Sequence, residues 1–198
     1  MLQTIAKTYK NLKIDKYYDV YSDLFDSMKE KNVKLLEIGV YECGSLKIWH
    51  DYFKQGKIIG LDRRQISNSL LKGFDRISVY QGDQTDINVL QKIINENGKF
   101  DIIIDDASHI GQVTKASYNF LFKYVKSGGY YIIEDWGTGY WENWYDGKEY
   151  HNNHYDGMVG LVKDLVDEAG RDDIKLDPRT SMFEYMQLSH GQAIIKKK

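Results

Sequence analysis

The stretch FDIIIDDASH, residues 100–109, is the part of this sequence that decides the fold. Its first five residues are typical of a strand that is buried on both faces, and two aspartates follow at once. Carboxylates in that position lie at the carboxyl edge of a parallel sheet, where open α/β folds bind their ligands. The stretch therefore predicts an α/β fold with a binding site at this edge.

A second stretch of the same kind, GGYYIIEDW at residues 128–136, follows further along the chain. It has a glycine turn, a strand-like run and then Glu134 and Asp135. Carboxylates gathered at one edge repel one another unless a cation joins them, so a divalent cation is the expected partner. The alternative is that these carboxylates only cap the helices that follow their strands.

Strand-like and helix-like patterns alternate along the chain, which predicts a parallel sheet with right-handed crossovers. The predicted strands cover residues 33–38, 57–61, 76–80, 101–105 and 130–134, and the predicted helices cover 14–31, 44–56, 87–95, 113–125 and 158–169. Two last runs, 181–188 and 192–196, predict a closing hairpin. We therefore predict a single α/β domain over residues 1–198, with a Rossmann-like, seven-stranded, mostly parallel sheet, a C-terminal antiparallel hairpin and helices on both faces. The N-terminal helical segment 1–31 is expected either to cover the site as a lid or to pack on the sheet.

The first predicted strand leads into a glycine-containing loop, LEIGVYECGS at residues 36–45. Gly39 permits a tight turn beside a ligand, and Gly44 with Ser45 places free backbone N–H groups at a helix start. Tyr41 stands where a dinucleotide-binding loop has its second glycine, which disfavours NAD and FAD. Glu37 suits a ligand with a positive amino group, such as S-adenosylmethionine.

Two further carboxylates follow the next two predicted strands. Asp62 is placed to accept hydrogen bonds from both hydroxyls of a ribose, and Asp83 is placed near an adenine edge. Together with Glu37 they predict a site for S-adenosylmethionine across three neighbouring strand ends.

The composition argues against several classes of partner. The formal net charge is −2 and no long basic block is present, which disfavours binding to nucleic acid. The apolar runs fall short of the roughly 20 residues that span a bilayer. Cys43 is the only cysteine, so nothing in the sequence indicates an oxidising compartment. We therefore predict a cytoplasmic protein with no nucleic-acid or membrane partner, and leave homo-oligomerisation open.

Several of these segments resemble the class I S-adenosylmethionine-dependent methyltransferases. Within that class they are similar to the metal-dependent branch of the mycinamicin sugar O-methyltransferase and cephalosporin-hydroxylase-like proteins. The matching segments are LLEIGVYECGSLKIWHDYF (35–53), GLD (60–62), GDQTD (82–86), FDIIIDDASH (100–109), GGYYIIEDW (128–136), GMVGLVKDLVD (157–167) and HGQAIIKK (190–197). The pairing of IDDASH with IEDW is the specific part of the resemblance, and Ala107 departs from the glycine that the family usually has.

The resemblance implies an enzyme that uses Mg²⁺ to transfer the methyl group of S-adenosylmethionine to a hydroxyl of a small molecule. The preferred acceptor is a sugar of a glycoside, natural product or polysaccharide, and a catechol-like diol is a further candidate. The implied catalytic residues are His109, as general base, and Asp106; the implied metal ligands are Asp106, Glu134 and Asp135. The implied cofactor-binding residues are Glu37, Gly39, Asp62 and Asp83, and we predict Tyr41, Gly44, Ser45 and Asp105 as further cofactor-binding residues. For Asp105, a role as metal ligand or in orienting His109 stays open.

Two other classes of function stay open. An oxygenase component like the cephalosporin-hydroxylase relatives is disfavoured by the carboxylate set, because non-haem iron normally takes two histidines and one carboxylate. A non-catalytic protein that binds S-adenosylmethionine is disfavoured by the complete set of candidate catalytic residues.

The segment 136–156 is unusually aromatic, with three tryptophans and four tyrosines between Trp136 and Tyr155. Because flat rings stack on sugars and on aromatic acceptors, we predict a substrate loop in which Trp136, Tyr140 and Trp141 contact the acceptor. The alternative is that these rings pack the loop onto the domain or form a subunit interface.

Overall fold

The computed structural model describes residues 1–147, 156–173 and 179–198. The α-helices are α1 (Leu2–Ala6), α2 (Asp15–Phe25), α3 (Gly44–Tyr52), α4 (Ile87–Asn97), α5 (Gly111–Leu121) and α6 (Met158–Ala169). The strands are β1 (Lys34–Ile38), β2 (Lys57–Asp62), β3 (Ile77–Gln81), β4 (Phe100–Asp105), β5 (Val125–Ile133), β6 (Phe183–Ser189) and β7 (Gln192–Lys197). Short 3-10 helices cover Asp26–Met28, Asn68–Leu71, Phe122–Tyr124, Trp136–Tyr140 and Arg171–Asp173. None of the helices within these ranges has the length and apolar character needed to cross a bilayer.

The seven strands form one sheet in the order β3-β2-β1-β4-β5-β7-β6. The first five strands pair in parallel, whereas β7 runs antiparallel to both β5 and β6. Strands β2 and β3 lie on one side of β1, and strands β4 and β5 lie on its other side. The order of the strands therefore reverses between β1 and β4. This arrangement confirms the predicted mostly parallel sheet with its C-terminal hairpin, and it places the switch point beside FDIIIDDASH.

Side chains along the central strands alternate between two layers of helices. Leu35 on β1 packs with α1, α2 and α3, while its neighbour Leu36 packs with α4, α5 and α6. On β4, Ile103 belongs to the second layer and Ile104 to the first. Burial on both faces explains why these strands are continuous apolar runs in the sequence. It also confirms that helices cover both faces of the sheet.

The boundaries of some elements differ from those predicted. The helix predicted over 14–31 ends at Phe25, where the 3-10 turn Asp26–Met28 replaces it. The strand predicted from residue 130 begins at Val125, because Gly128, with φ +75°, lies at an irregularity within the strand rather than in a turn before it. Helix α1 lies within the predicted N-terminal helical segment 1–31, but its bounds were not predicted, since five residues are too few to show a helical period.

Helix α2 of the N-terminal segment packs on the sheet and on α3. Tyr21 and Phe25 of α2 are fully buried and contact the ring of Trp49 on α3, with centroids 5.1 and 6.3 Å away. Aromatic packing of this kind anchors α2 firmly. The loop before α2, residues 10–14, reaches the carboxyl edge of the sheet and lines the cavity there.

Gly39 follows β1 at a point where no side chain fits. Its φ is +85°, and a Cβ there would lie 2.2 Å from the backbone oxygen of Asp106. We expect Gly39→Ala to lower the free energy of unfolding by more than about 1 kcal/mol, and each kcal/mol lowers the melting temperature by about 2–4 °C in a chain of this size. Gly73→Ala is the matched control, because φ there is +89° but the surrounding space is open. Equal melting temperatures for the two variants would contradict this prediction.

Candidate active site

One cavity of about 1040 Å³ lies at the carboxyl edge of the sheet. Loops that follow β1, β2, β3, β4 and β5 form its walls, together with residues 10–14 and the turn of the β6–β7 hairpin. Most of the predicted site residues line it: Gly39, Tyr41, Gly44, Ser45, Asp62, Asp83, Asp106, His109, Glu134, Asp135 and Trp141. Four predicted site residues are not part of the lining: Glu37, Asp105, Trp136 and Tyr140.

Several residues of the lining have a left-handed backbone that is unusual for side chains other than glycine. The φ angles are 46° for Tyr41, 48° for His109, 54° for Asp135 and 40° for His190. Such conformations cost about 1–3 kcal/mol each and are retained mainly where the surrounding structure needs them. Their concentration around one cavity supports its assignment as the functional site.

The cofactor half of the cavity is built around Asp62 at the end of β2. Its carboxylate accepts hydrogen bonds from the backbone N–H groups of Val40 and Tyr41, both at 3.1 Å, and so holds the loop after β1. The Arg64 guanidinium donates to both carboxylate oxygens at 3.0 Å, although its own side chain is 48% exposed. Burial favours protonation, but these hydrogen bonds outweigh it and lower the pKa of Asp62. The ionised carboxylate suits a ribose diol, which would replace the exposed Arg64 contacts.

Asp83 closes the same half of the cavity beyond β3. Its carboxylate accepts hydrogen bonds from the Thr85 hydroxyl at 2.7 Å and from the Thr85 N–H at 2.8 Å, and these bonds lower the pKa of Asp83. Asp83 is therefore ionised and oriented at the position predicted for an adenine contact.

The acidic half of the cavity holds a cluster of possible metal ligands. One ligand atom each from Asp106, His109 and Asp135 lies within 4.8 Å of the other two. His109 Nε2 is 3.8 Å from Asp106 Oδ1 and 3.7 Å from Asp135 Oδ2. Two carboxylates at this spacing provide the oxygen ligands that Mg²⁺ prefers, so the donor set fits the predicted ion.

Glu134, the third predicted metal ligand, is held on the inner side of this cluster. Its side chain is 1% exposed, Tyr21 donates a hydrogen bond to Oε1, and Lys13 Nζ lies 2.5 Å from Oε2. Burial and the neighbouring Asp106 raise the pKa of Glu134, while Lys13 opposes that rise. Tyr17 donates to Asp135 at 2.5 Å, so two tyrosines of α2 orient two of the predicted metal ligands.

Glu37 lies beneath the cavity instead of lining it. It is fully buried, and its Oε1 is 3.0 Å from Lys13 Nζ. Burial raises the pKa of Glu37, and the Lys13 ammonium opposes the rise. Lys13, which lines the cavity, therefore occupies the position next to Glu37 that was predicted for the amino group of a cofactor.

Asp105 does not contribute to the cavity, and we remove it from the set of cofactor contacts. Successive strand side chains face opposite sides of the sheet, so Asp105 faces α5 while Asp106 faces the cavity. Its carboxylate accepts from Ser117 at 2.7 Å and from Gln84 at 3.1 and 3.2 Å. Burial raises the pKa of Asp105 to about 6, against these hydrogen bonds. Asp105 joins β4 to α5 and to the loop after β3.

Of the three rings predicted to contact the acceptor, Trp141 lines the cavity and Trp136 and Tyr140 do not. Trp136 packs against the core on the side of α6, with its ring centroid 6.2 Å from that of Tyr140, and neither ring lines the cavity. Both rings belong to the 3-10 helix Trp136–Tyr140. Trp141 lines the cavity and is 59% exposed. Residues 148–155 of the predicted substrate loop lie outside the described residues.

The lining residues that were not predicted individually as members of the site include Lys13 and Trp144. Trp144 donates a hydrogen bond from Nε1 to the backbone oxygen of His109 at 2.8 Å, and the two ring centroids are 6.0 Å apart. The aromatic composition of the segment indicated a role near the site but could not select this ring. Lys13 carries no local sequence signal, because its partners come from three distant strands.

The chain has close relatives among characterised methyltransferases, although no protein-family model matches it. It is 36% identical over 168 residues to mycinamicin VI 2''-O-methyltransferase from Micromonospora griseorubida, a match covering 81% of this chain and 41% of the relative. It is 35% identical over 164 residues to demethylmacrocin O-methyltransferase from Streptomyces fradiae, covering 79% of this chain and 40% of the relative. The chain therefore spans less than half the length of these curated relatives.

The solved structures that resemble this chain include a methyltransferase. MycE, the methyltransferase of the mycinamycin biosynthetic pathway in complex with Mg and SAH, superposes with a TM-score of 0.87 at 31% identity. The match covers 99% of this chain and 54% of that chain. Sheet order, cavity and sequence together place this chain among the class I S-adenosylmethionine-dependent methyltransferases. Within that class it is similar to the sugar O-methyltransferases, which confirms the resemblance stated from the sequence.

Proposed function

We propose that this chain carries a Mg²⁺-dependent O-methyltransferase activity that uses S-adenosylmethionine and acts on a sugar hydroxyl of a glycosylated small molecule. The observation that carries the proposal is a single cavity in which Asp62 and Asp83 line one half and Asp106, His109 and Asp135 meet in the other. A methyl donor in the first half and a hydroxyl in the second would lie side by side.

The relatives support the choice of acceptor. Three of them are named as methyltransferases of mycinamicin VI, of demethylmacrocin and of a rhamnosyl tetracenomycin. MycE has also been solved with Mg, SAH and mycinamycin VI together. A sugar ring offers neighbouring hydroxyls at the spacing that suits chelation by one divalent cation. Three further proposals rest on the sequence alone. They are a cytoplasmic location, the absence of nucleic-acid and membrane partners, and the formation of a homo-oligomer.

A bound Mg²⁺ would lower the pKa of an acceptor hydroxyl and fix its orientation. Asp106 and Asp135 are the residues placed to hold it, with Glu134 behind them. His109 lies beside both carboxylates and is 15% exposed, so its imidazole can take the hydroxyl proton within the cavity. The hydrogen bond from Trp144 to the His109 carbonyl keeps this left-handed residue in place.

Among the described residues, the arrangement does not favour the oxygenase alternative. The cluster found there holds one histidine and two carboxylates, whereas non-haem iron oxygenases use two histidines and one carboxylate.

The activity can be tested with S-adenosylmethionine and mycinamicin VI or demethylmacrocin as trial acceptors. We expect methylated product in the presence of Mg²⁺ and none after chelation with EDTA, with activity restored when Mg²⁺ is added back. Catechol and an aglycone without its sugar serve as comparison acceptors. Product formation that is unaffected by EDTA would contradict the metal dependence.

Asp62→Ala should weaken the binding of S-adenosylhomocysteine by about 10–100-fold, because two hydrogen bonds from the ribose to a charged acceptor are lost. Calorimetry measures the change in affinity. Thermal melting measures the loss of stability that follows from losing the hydrogen bonds to Val40 and Tyr41, and so separates the two effects. Asp75→Ala is the control, since that carboxylate is 91% exposed. Unchanged affinity in the folded Asp62→Ala variant would place the ribose elsewhere.

A further inference from the structure

Lys13 is a buried cation at the centre of the acidic edge. It lies in the loop between α1 and α2, and its side chain is 4% exposed. Nζ is 3.0 Å from Glu37 Oε1 and 2.5 Å from Glu134 Oε2, and it also contacts Asp106 Oδ2. These three carboxylates come from the ends of β1, β5 and β4, so one ammonium joins three neighbouring strands.

We infer that Lys13 is a positioning residue for the metal site, an inference that rests on the proposed function. Lys13 binds the inner oxygens of Asp106 and Glu134 and leaves Asp106 Oδ1 facing His109 and Asp135. The lysine and a metal ion can therefore use different oxygens of Asp106, whereas Lys13 and Tyr21 hold the two oxygens of Glu134. Lys13 fixes the orientation of the ligands from behind, as residues behind a metal centre commonly do.

The charges of the site are consistent with a lysine that stays when the ligands bind. Glu37, Asp106, Glu134 and Asp135 bring four carboxylates to one edge of the sheet. Lys13 alone leaves most of that negative charge unbalanced. A divalent cation would, together with Lys13, offset most of the charge of these four carboxylates. If Lys13 had to leave before the metal could bind, the buried carboxylates would lose a positive partner.

The loop that carries Lys13 is anchored by further contacts, so the ammonium is not delivered by a free segment. Asn11 donates to the backbone oxygens of Ala6 and Tyr9 at 3.1 and 3.0 Å and accepts from Tyr18 at 2.7 Å. Tyr18 is buried on α2, which packs on the sheet. The loop therefore holds Lys13 in the position that the carboxylates require.

The test is calorimetric titration of MgCl₂ into the wild-type chain and into Lys13→Met, each saturated with S-adenosylhomocysteine. We expect Lys13→Met to bind Mg²⁺ about 10–100-fold more weakly. Lys16→Met is the matched control, because Lys16 is exposed on the first turn of α2, and its Mg²⁺ affinity should equal that of the wild type. Unchanged or tighter binding in Lys13→Met would overturn the inference, and tighter binding would identify Lys13 as a competitor of the metal.

Two further measurements distinguish positioning from a general loss of structure. Glu134→Gln and Lys13→Met should weaken Mg²⁺ binding by less in combination than the product of their separate effects, because they share one contact. Full multiplicativity would contradict action through Glu134. If Lys13→Met does not fold, Lys13→Arg and Lys13→Gln replace it. The arginine variant should then bind Mg²⁺ more tightly than the glutamine variant, because it keeps the positive charge. Equal affinities would overturn the inference, whereas absence of Mg²⁺ binding in the wild type would remove the proposed function as well.

Discussion

Asp106→Asn is expected to reduce methyl transfer by at least about 10³-fold and to weaken Mg²⁺ binding. Asp106 is the carboxylate that touches both parts of the acidic edge, with Oδ2 against Lys13 and Oδ1 towards His109. An amide of the same size keeps the shape of the site but removes the charge that attracts the cation. Metal activation of a hydroxyl contributes several kcal/mol, and each 1.36 kcal/mol corresponds to about tenfold in rate.

The effect of Asp106→Asn can be measured as kcat with saturating Mg²⁺ and as Mg²⁺ affinity by calorimetry. Asp101→Asn is the control, because Asp101 lies at the opposite end of the same strand, where its carboxylate is 2.7 Å from Lys126 Nζ. Only the melting temperature should change in that variant. An Asp106→Asn enzyme that keeps Mg²⁺-dependent turnover close to the wild-type rate would exclude Asp106 as a metal ligand.

His109→Asn is expected to lower kcat by about 10²–10⁴-fold, the contribution of a general base. Asparagine is chosen because it tolerates the left-handed backbone of this position, where φ is 48°. The affinities for S-adenosylhomocysteine and Mg²⁺ should remain within a few-fold, since the carboxylates are retained. A loss of affinity equal to the loss in kcat would indicate that His109 binds a ligand and does not act as the base.

His50→Asn serves as the control for His109→Asn. His50 lies on α3 outside the cavity, with Nδ1 2.9 Å from Asp51 Oδ1. Its replacement should leave kcat unchanged. A similar fall in kcat for both variants would show that the assay reports protein stability and not proton transfer.

Most of the fold was predictable because the strands are buried on both faces. The runs that end at Ile38, Asp62 and Asp105 are short, apolar and separated by helical periods, so their order follows from local pattern. The start of β5 was not predictable, because a Gly-Gly pair at 128–129 is typical of a turn, whereas here β5 pairs with β4 on both sides of an irregularity, at Val125 and again at Tyr130. Tertiary contacts decided that boundary.

The site was predictable where residues follow strands, and not where distant segments meet. Asp106 and Asp62 line the cavity because strand ends share one edge of the sheet. Asp105 was misassigned because which of two adjacent aspartates faces the cavity depends on the phase of the strand. The position of Trp144 depends on the path of a loop, and the position of Lys13 depends on the packing of α2. A local sequence pattern predicts neither.

The central claim is best tested by titrating S-adenosylhomocysteine into the purified chain by calorimetry, with and without Mg²⁺ and with NAD as the comparison ligand. We expect micromolar binding of S-adenosylhomocysteine and none of NAD, because Tyr41 stands where a pyrophosphate needs a bare backbone. A separate heat of Mg²⁺ binding should appear in the wild type and be absent in Asp106→Asn. Absence of S-adenosylhomocysteine binding under both conditions would contradict a methyltransferase site in this cavity.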